Sequence, residues 1–251
     1  PPGPLNFVFN PAPSGLTTSQ VNGLIHTNKV HDFVKQYSPT YPGVDIQIPC
    51  NVNLASTCNA YYQASTINFY QAGGGCPNTC YSTVLYHEYG HFIIAMAGTG
   101  QGAYGEGMGD VNASLLANTP NLGEDFQGVN AGPLRSCYNN IVYPSNAEIH
   151  TAGQIMSGAF WLTLDALKAN YPTQTALDII RPLFLESIRL RPAGISPSIT
   201  IDVLTLDDND GNLNNGTPHY SEIAQGFNAK NLTAPAIDFL TYRDIATPGT
   251  Y

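Results

Sequence analysis

Charged residues are scarce in this chain of 251 residues, at 11% of the total, where an ordinary soluble domain has about 25%. Lys and Arg number 9 against 18 Asp and Glu, which gives a formal net charge of -9. This shortage of positive charge argues against a nucleic-acid partner, because binding to a phosphate backbone depends on Lys and Arg. No apolar run approaches the roughly 18 residues of a membrane-spanning helix, so we expect no membrane span. The hydrophobic content of 43% excludes a disordered chain and predicts a folded core.

Cysteine is also sparse, with five residues that form two close pairs and one outlier. The pairs lack the Cys-x-x-Cys spacing of a zinc knuckle, so we interpret them as short-loop disulfides rather than metal ligands. The spacing predicts the disulfides Cys50–Cys58 and Cys76–Cys80 and leaves Cys137 free, with free thiols throughout as the alternative. Disulfides persist in oxidising compartments, so we expect a secreted, extracellular protein.

The hydrophobic pattern changes along the chain from mixed structure to mainly helical structure. Helical spacing of apolar residues occurs first over 21–37, and strand-like patterns follow over 44–48 and 59–71. Further helices are predicted over 80–97, 106–117, 150–170 and 173–190, and after Ser196-Pro197 and Thr217-Pro218. This order predicts an α+β protein with an N-terminal α/β lobe (1–98) and a mainly helical C-terminal lobe (99–251).

The most informative stretch is His87-Glu88-Tyr89-Gly90-His91. Residues four apart on a helix lie on the same face, so the two imidazoles can bind one zinc ion. The Glu88 carboxylate is adjacent to the first histidine, so it can reach a water molecule on that metal and act as general base. The alternative is a core helix with two incidental histidines. We favour the metal site, because the apolar residues around the motif predict a helix that would support it.

A catalytic zinc ion needs a third protein ligand, and the candidate is Glu106. This residue starts a second predicted helix after a glycine-rich turn, so it can face back toward the first helix. Asp110 lies one turn later, where it can accept the second N–H of a zinc-bound imidazole and fix the ring. The alternative is an acidic first helical turn, which the helix dipole favours. That alternative does not explain two acids four residues apart behind His-Glu-x-x-His.

His87-Glu88-x-x-His91 followed by Glu106-x-x-x-Asp110 resembles the gluzincin metallopeptidases, specifically the thermolysin and fungalysin families. The resemblance implies a zincin-like fold of two lobes, with a mixed β-sheet in the N-terminal lobe and a substrate cleft between the lobes. It also implies zinc-dependent hydrolysis of peptide bonds. Three further stretches resemble segments of these families: Asn59-Ala60-Tyr61-Tyr62 in an edge strand, His31-Asp32-Phe33 in the first helix, and Glu148-Ile149-His150-Thr151-Ala152-Gly153 at a helix start.

The resemblance implies substrate-binding residues as well. Asn59 and Ala60 would pair with the main chain of an extended substrate, by addition of a strand to the sheet. One departure concerns the loop between the metal ligands, since only 14 residues separate His91 from Glu106. The loop that carries a tyrosine at the catalytic site in these families is therefore shortened, and Tyr104 is the candidate for that role.

Two histidines compete for the role of donor to the oxyanion that forms during peptide hydrolysis. His150 lies at a predicted helix start, in the segment that resembles the donor segment of the families. His219 follows the turn at 214–218, where a polar side chain is unsurprising. We favour His150, and structural hydrogen bonding is the alternative for either residue.

The acidic stretch Asp207–Asn214 is rich in the oxygen ligands that Ca²⁺ prefers. It does not have the register of an EF-hand. A Ca²⁺ site and a solvated loop of Asx turns are therefore both open.

These residues together predict a secreted, zinc-dependent endopeptidase that acts as a monomer on peptide or protein substrates. One alternative keeps the fold but cleaves a narrow class, such as glycopeptides or one host protein. Another alternative is a catalytically inactive binding module. Glu88 argues against the inactive module, because metal binding alone does not require this carboxylate.

Overall fold

The computed structural model describes residue 8 and residues 10–237. Its elements are α1 (Gly15–Tyr37), β1 (Cys50–Leu54), β2 (Ala60–Gln63), β3 (Thr66–Tyr70), α2 (Ser82–Ala97), α3 (Gly102–Ala117), β4 (Asn121–Glu124), β5 (Pro133–Ser136), α4 (Ile149–Asn170), α5 (Thr173–Arg189), α6 (Ser198–Asp207) and α7 (Tyr220–Asn228). None of the helices in this part of the chain combines the length and the apolar character that crossing a membrane requires. The outer ends of both predicted lobes lie outside the described residues, and the division at residue 98 stays a prediction.

The N-terminal sheet has the strand order β1-β3-β2, with β1 parallel and β2 antiparallel to β3. The single strand predicted over 59–71 is wrong, because the chain reverses at Ala64 and Ser65, whose φ angles are 46° and 60°. Neither residue is the Gly, Asn or Asp that usually signals such a hairpin turn. β2 is consequently an edge strand of this sheet, which can pair with another extended chain.

The strand predicted over 44–48 is also wrong, because this segment is an irregular loop and β1 begins only at Cys50. Val44 and Ile48 are buried, but Ile46 between them is 52% exposed. A strand would place all three side chains on one face. The alternating pattern therefore reflects two separate contacts with the core rather than strand pairing.

α2 carries the His-Glu-x-x-His motif and lies close to its predicted bounds of 80–97. Nearly all of its side chains are buried, including His87, Glu88 and His91, as expected for a helix that is covered on every side. It contacts α1, β2 and β3 as well as α3, so it lies between the sheet and the helical half of the chain. Gly98 ends the helix in the left-handed conformation, with a φ of 74° that suits glycine.

The second half of the chain is mainly helical, as predicted. α4 packs against α3, α5 and α7, while α6 packs against α5 and α7. The predicted helix starts are inexact, since α3 begins four residues before Glu106 and α7 begins three residues after Thr217. The antiparallel pair β4–β5 was not predicted, because each strand has only four residues and includes Gly123 or Pro133.

Cys58 and Cys76 form a disulfide, so both predicted pairings, Cys50–Cys58 and Cys76–Cys80, are wrong. Cys58 lies just before β2 and Cys76 lies after β3, and the antiparallel pairing of these strands brings the two ends of the hairpin together. The strand register, rather than distance along the sequence, therefore decides the partner. Cys50, Cys80 and Cys137 are free thiols, which for Cys137 agrees with the prediction.

The acidic loop Asp207–Asn214 is held by hydrogen bonds between its own residues. The side-chain oxygens of Asp208, Asp210 and Asn212 each accept from the backbone N–H two residues further along. These are Asx turns, which the sequence left open as one of two possibilities for this loop. The calcium site of the other interpretation stays a prediction.

Candidate metal centre and active site

Two buried imidazoles lie side by side on α2. The Nε2 atoms of His87 and His91 are 3.2 Å apart. Their positions four residues apart place both rings on the face that α3 covers. The structure thus brings together the two histidines that the sequence singled out.

Glu106 on α3 is the third group. Its Oε2 lies 3.2 Å from His87 Nε2, and its Oε1 lies 3.6 Å from His91 Nε2. Burial acts to raise the pKa of Glu106, but the two imidazoles outweigh it and hold the pKa well below its usual range. One ligand atom from each of the three residues lies within 4.8 Å of the others, so the group could hold a metal ion.

The outer nitrogens of both imidazoles have other partners. His87 Nδ1 is 2.8 Å from Asp110 Oδ1, and His91 Nδ1 is 2.8 Å from Gln101 Oε1. A neutral imidazole that donates through Nδ1 has an unprotonated Nε2. Glu106 Oε2 is buried and makes no hydrogen bond to any residue in the described ranges. When both imidazoles are neutral and donate through Nδ1, two nitrogen lone pairs and a carboxylate converge, and this donor set fits a metal cation.

Asp110 is held in turn by Arg135, a residue that no sequence motif indicated. Arg135 Nε and Nη2 each lie 2.8 Å from one carboxylate oxygen of Asp110, which makes a bidentate pair. Burial acts to raise the pKa of Asp110, but Arg135 and the hydrogen bond from His87 lower it. Arg135 comes from β5, and the absence of this strand from the predicted elements explains why the residue was missed.

Gln101, the residue before α3, holds the other imidazole and was also missed. Its side-chain oxygen accepts from His91 Nδ1, and its Nε2 donates to the backbone carbonyl of His91 at 3.0 Å. Gly105 makes room for this amide, because a Cβ there would lie 2.5 Å from Gln101 Oε1. The glycine before Glu106 therefore has a packing role.

Glu88 is buried next to the imidazoles and lines a pocket with His87 and His150. Burial raises the pKa of the Glu88 carboxyl group, while the nearby imidazoles act in the opposite direction. A carboxyl group with a raised pKa is suited to accept and return a proton near neutral pH.

His150, at the start of α4, approaches the same group from a different helix. Its Nε2 lies 3.3 Å from Glu106 Oε2, and its Nδ1 lies 2.6 Å from Glu148 Oε1. The side chain is 47% exposed and lines the pocket. Glu148 also accepts from the backbone N–H of His150, so one carboxylate caps α4 and orients the ring.

The competing histidine, His219, lies elsewhere. Its Nδ1 is 2.6 Å from Asp207 Oδ1, and its backbone N–H donates to Asp207 Oδ2. The hydrogen bond to Asp207 raises the pKa of His219. These contacts tie the start of α7 to the end of α6, and His219 does not line the pocket that contains His150.

The pocket beside the three candidate metal ligands has a volume of about 240 Å³. Its apolar lining residues come from α2, from β4 and β5, and from the loop between these strands: Val84, Leu122, Phe126 and Leu134. Asn59 and Ala60, which were predicted to hold the substrate main chain, line the same pocket at the start of β2. An apolar wall with a few convergent polar groups is typical of a ligand-binding site.

Tyr104 is not brought to this pocket. It is 2% exposed, packs in the core and precedes Glu106 by two residues, so the helix turns it about 200° away from Glu106. A different tyrosine, Tyr62 on β2, lies near the metal-binding group. Its ring stacks on His91 with 6.3 Å between the ring centroids. The prediction that Tyr104 lies at this pocket is therefore wrong, because α3 directs its side chain into the core.

A scan against protein-family models and a search of curated proteins find no match to this chain. Among solved structures, the chain is similar to the precursor of protealysin, a metalloproteinase from Serratia proteamaculans. The TM-score is 0.69, and the match covers 89% of this chain and 81% of that chain. The two sequences are 12% identical, so the likeness is one of fold. The chain thus has the predicted α+β, zincin-like fold.

Proposed function

We propose that the chain is a zinc-dependent endopeptidase that hydrolyses peptide bonds in protein substrates outside the cell. The proposal rests above all on the convergence of His87, His91 and Glu106 while both outer imidazole nitrogens are bound to other residues. Two histidines and a glutamate are the protein ligands of catalytic zinc in thermolysin, where a fourth position stays open. The disulfide Cys58–Cys76 supports an oxidising, extracellular location.

Each residue of the site has a distinct part in the proposed reaction. A zinc ion bound to the three ligands would supply Lewis acidity toward water and the scissile carbonyl. Glu88 takes a proton from the attacking water and passes it to the leaving amine. When the His150 ring is protonated, its Nε2 donates a hydrogen bond to the oxyanion that develops on the substrate. Asp110 and Gln101 keep the two metal-binding imidazoles oriented.

The edge strand β2 would hold the substrate as an additional extended strand. Asn59 and Ala60 line the pocket, so a peptide paired there would pass the metal-binding residues. One substrate side chain would enter the pocket, where Val84, Leu122 and Phe126 favour an apolar group. An apolar pocket discriminates by only about 1–3 kcal/mol per methylene group, so we favour a broad range of substrates over a narrow one.

Metal analysis combined with a protease assay tests the proposal. The purified chain should contain about one zinc ion and should digest denatured casein. Hydrolysis should stop when a chelator selective for zinc over calcium removes the metal, and it should return when zinc is restored. Digestion that survives complete removal of zinc would contradict the proposal. A chain that binds zinc but digests no casein would instead be a narrow protease or a binding module.

The variant Glu88→Gln separates catalysis from metal binding. It should fold and retain zinc, while turnover falls by about two or more orders of magnitude, because the amide cannot accept the proton. Asp32→Asn removes the same charge from an exposed position on α1 and is the matched control. Turnover close to that of the wild type in Glu88→Gln would mean that another residue is the general base.

A further inference from the structure

Two of the free cysteines lie against each other where the chain enters the metal-binding helix. Cys50 is the first residue of β1, and Cys80 lies two residues before the start of α2 at Ser82. Both sulfur atoms pack against Gly23 of α1. A Cβ at this glycine would lie 3.1 Å from Cys50 Sγ and 3.7 Å from Cys80 Sγ. Two sulfur atoms that lie this close to one point on α1 are near neighbours.

We propose that Cys50 and Cys80 form a second disulfide, which joins β1 to the segment that leads into α2. The packing of both sulfur atoms against Gly23 supports the bond, and so does the position of the other disulfide. The disulfide Cys58–Cys76 lies within the segment that the new bond would enclose, so the two bridges would be nested. Conditions that oxidise Cys58 and Cys76 would act on Cys50 and Cys80 as well.

The two thiols differ in a way that suits an ordered oxidation. The neighbouring Cys80 side chain lowers the pKa of the Cys50 thiol, whereas the Cys50 side chain and burial raise the pKa of Cys80. Cys50 is also the more exposed of the two. Its thiolate would therefore attack first, on an external disulfide such as oxidised glutathione or the disulfide of a thiol oxidoreductase. This step forms a mixed disulfide on Cys50 and releases one thiolate.

Cys80 completes the exchange. It loses its proton, and its thiolate attacks Cys50 Sγ and releases the second half of the external disulfide as a thiolate. Together the two cysteines lose two protons and two electrons, and the external disulfide is reduced to two thiols. The first step removes the negative charge on Cys50 that contributes to the raised pKa of Cys80, so it makes the second step easier.

The new bond would fix the entry of α2, which lacks a side-chain cap. The N-cap residue Tyr81 makes no capping hydrogen bond through its side chain. The preceding carbonyl of Cys80 accepts from Asn22 Nδ2 of α1 at 2.9 Å, which already holds this entry against the first helix. A covalent link at Cys80 would add a second anchor just ahead of the metal-binding histidines.

Alkylation of the denatured protein without reductant tests the proposal. The protein should be expressed in an oxidising compartment, and the disulfide Cys58–Cys76 serves as the internal control for oxidation. In the wild type only Cys137 should be alkylated. Alkylation of Cys50, Cys80 and Cys137 together, with Cys58–Cys76 intact, would overturn the proposal.

Two variants sharpen the test. Cys137→Ser should leave no cysteine to alkylate, whereas two alkylated cysteines in this variant would overturn the proposal. Cys50→Ser should leave Cys80 open to alkylation while Cys76 stays bonded to Cys58. Fragment mass spectra must locate the label, because only residues 77–79 separate the two cysteines. A label on Cys76 would assign Cys50 a different partner and would also overturn the proposal.

Discussion

Gln101 and Asp110 orient the imidazoles of the candidate metal centre in different ways. Asp110 is ionised and paired with Arg135, so it holds His87 through a charged hydrogen bond. Gln101 is neutral and contacts His91 at two points, the ring and the backbone carbonyl. The two contacts fix which way the amide points, because its nitrogen can only donate and its oxygen can only accept.

Substitution of Gln101 should therefore weaken zinc binding. Gln101→Ala should lower the affinity about 10- to 100-fold, the typical cost of losing a residue that orients a metal-binding histidine. Gly105→Ala should have a similar effect, because its Cβ would displace the amide. Gln101→Glu should lose less, since a carboxylate still accepts from His91 Nδ1.

Competition with a chromophoric zinc chelator measures these affinities. Gln36→Ala, an exposed substitution on α1, is the matched control. If Gln101→Ala binds zinc as tightly as the wild type does, the amide has no part in holding the metal-binding ring.

His150 should matter for turnover and not for metal binding. His150→Ala should fold and keep zinc, while turnover falls about a hundred- to a thousandfold, the usual effect of losing a donor to an oxyanion. The apparent substrate affinity should change less. His219→Ala should have little effect on turnover, because the contacts of this ring are with Asp207. A larger loss of turnover in His219→Ala would transfer the donor role to that residue.

The sequence was sufficient to single out the side chains that share a helix or follow it closely. His87, Glu88 and His91 occupy one helix, and helical periodicity alone places the two rings on one face. Arg135 was not foreseen, because it reaches Asp110 only through a strand pair with a weak sequence signal. Gln101 was not foreseen either, because its role depends on how the chain enters α3.

Between the helices, glycines set the close approach of α2, α3 and α4. A Cβ at Gly90 of α2 would lie 2.7 Å from the Cα of Gly109 on α3. A Cβ at Gly153 of α4 would lie 2.7 Å from the backbone nitrogen of Gly107 and 3.0 Å from the Cβ of Glu106. Gly107 therefore allows α3 to approach α4, and Gly109 allows it to approach α2. These two close approaches explain why α3 contains several glycines.

Gly153→Ala should disturb both packing and metal binding. The added methyl group presses on backbone atoms, which cannot move aside as a flexible side chain can, so the free energy of unfolding should fall by about 1–3 kcal/mol. Zinc affinity should fall as well, because the same methyl group displaces Glu106. Gly15→Ala is the control, since a Cβ there meets nothing within 4 Å. Denaturant unfolding should show no such loss in the control, and an equally stable Gly153→Ala would contradict this account.

Long helices were foreseen better than short strands. α2 and α4 each have sixteen or more residues with periodic apolar positions, and their observed bounds lie close to the predicted ones. The hairpin turn at Ala64 and Ser65 has no local signal, so the sequence predicts one strand where the structure has two. The loop over 44–48 has a false signal, because only Val44 and Ile48 of its three alternating apolar residues are buried, while Ile46 is exposed.

Over the whole molecule, the candidate metal centre joins segments that are distant in sequence. α2 contacts the N-terminal sheet and α1, α3 supplies Glu106, and α4 supplies His150. The three candidate metal ligands come from two helices, and the surrounding hydrogen bonds also involve β5 through Arg135. A metal ion bound here would act as a cross-link that exists only in the folded chain.

Removal of zinc should therefore lower the thermal stability of the whole chain. A ligand that binds only the folded state at a free concentration of 1,000 times its Kd stabilises that state by about 4.1 kcal/mol. For a chain of this length each kcal/mol shifts Tm by about 2–4 °C, so the expected fall is roughly 8–16 °C. A chelator selective for calcium should leave Tm unchanged unless the loop Asp207–Asn214 binds calcium, so the two chelators test the two predicted metals separately. An unchanged Tm after verified loss of zinc would mean that the metal does not join α2 to α3.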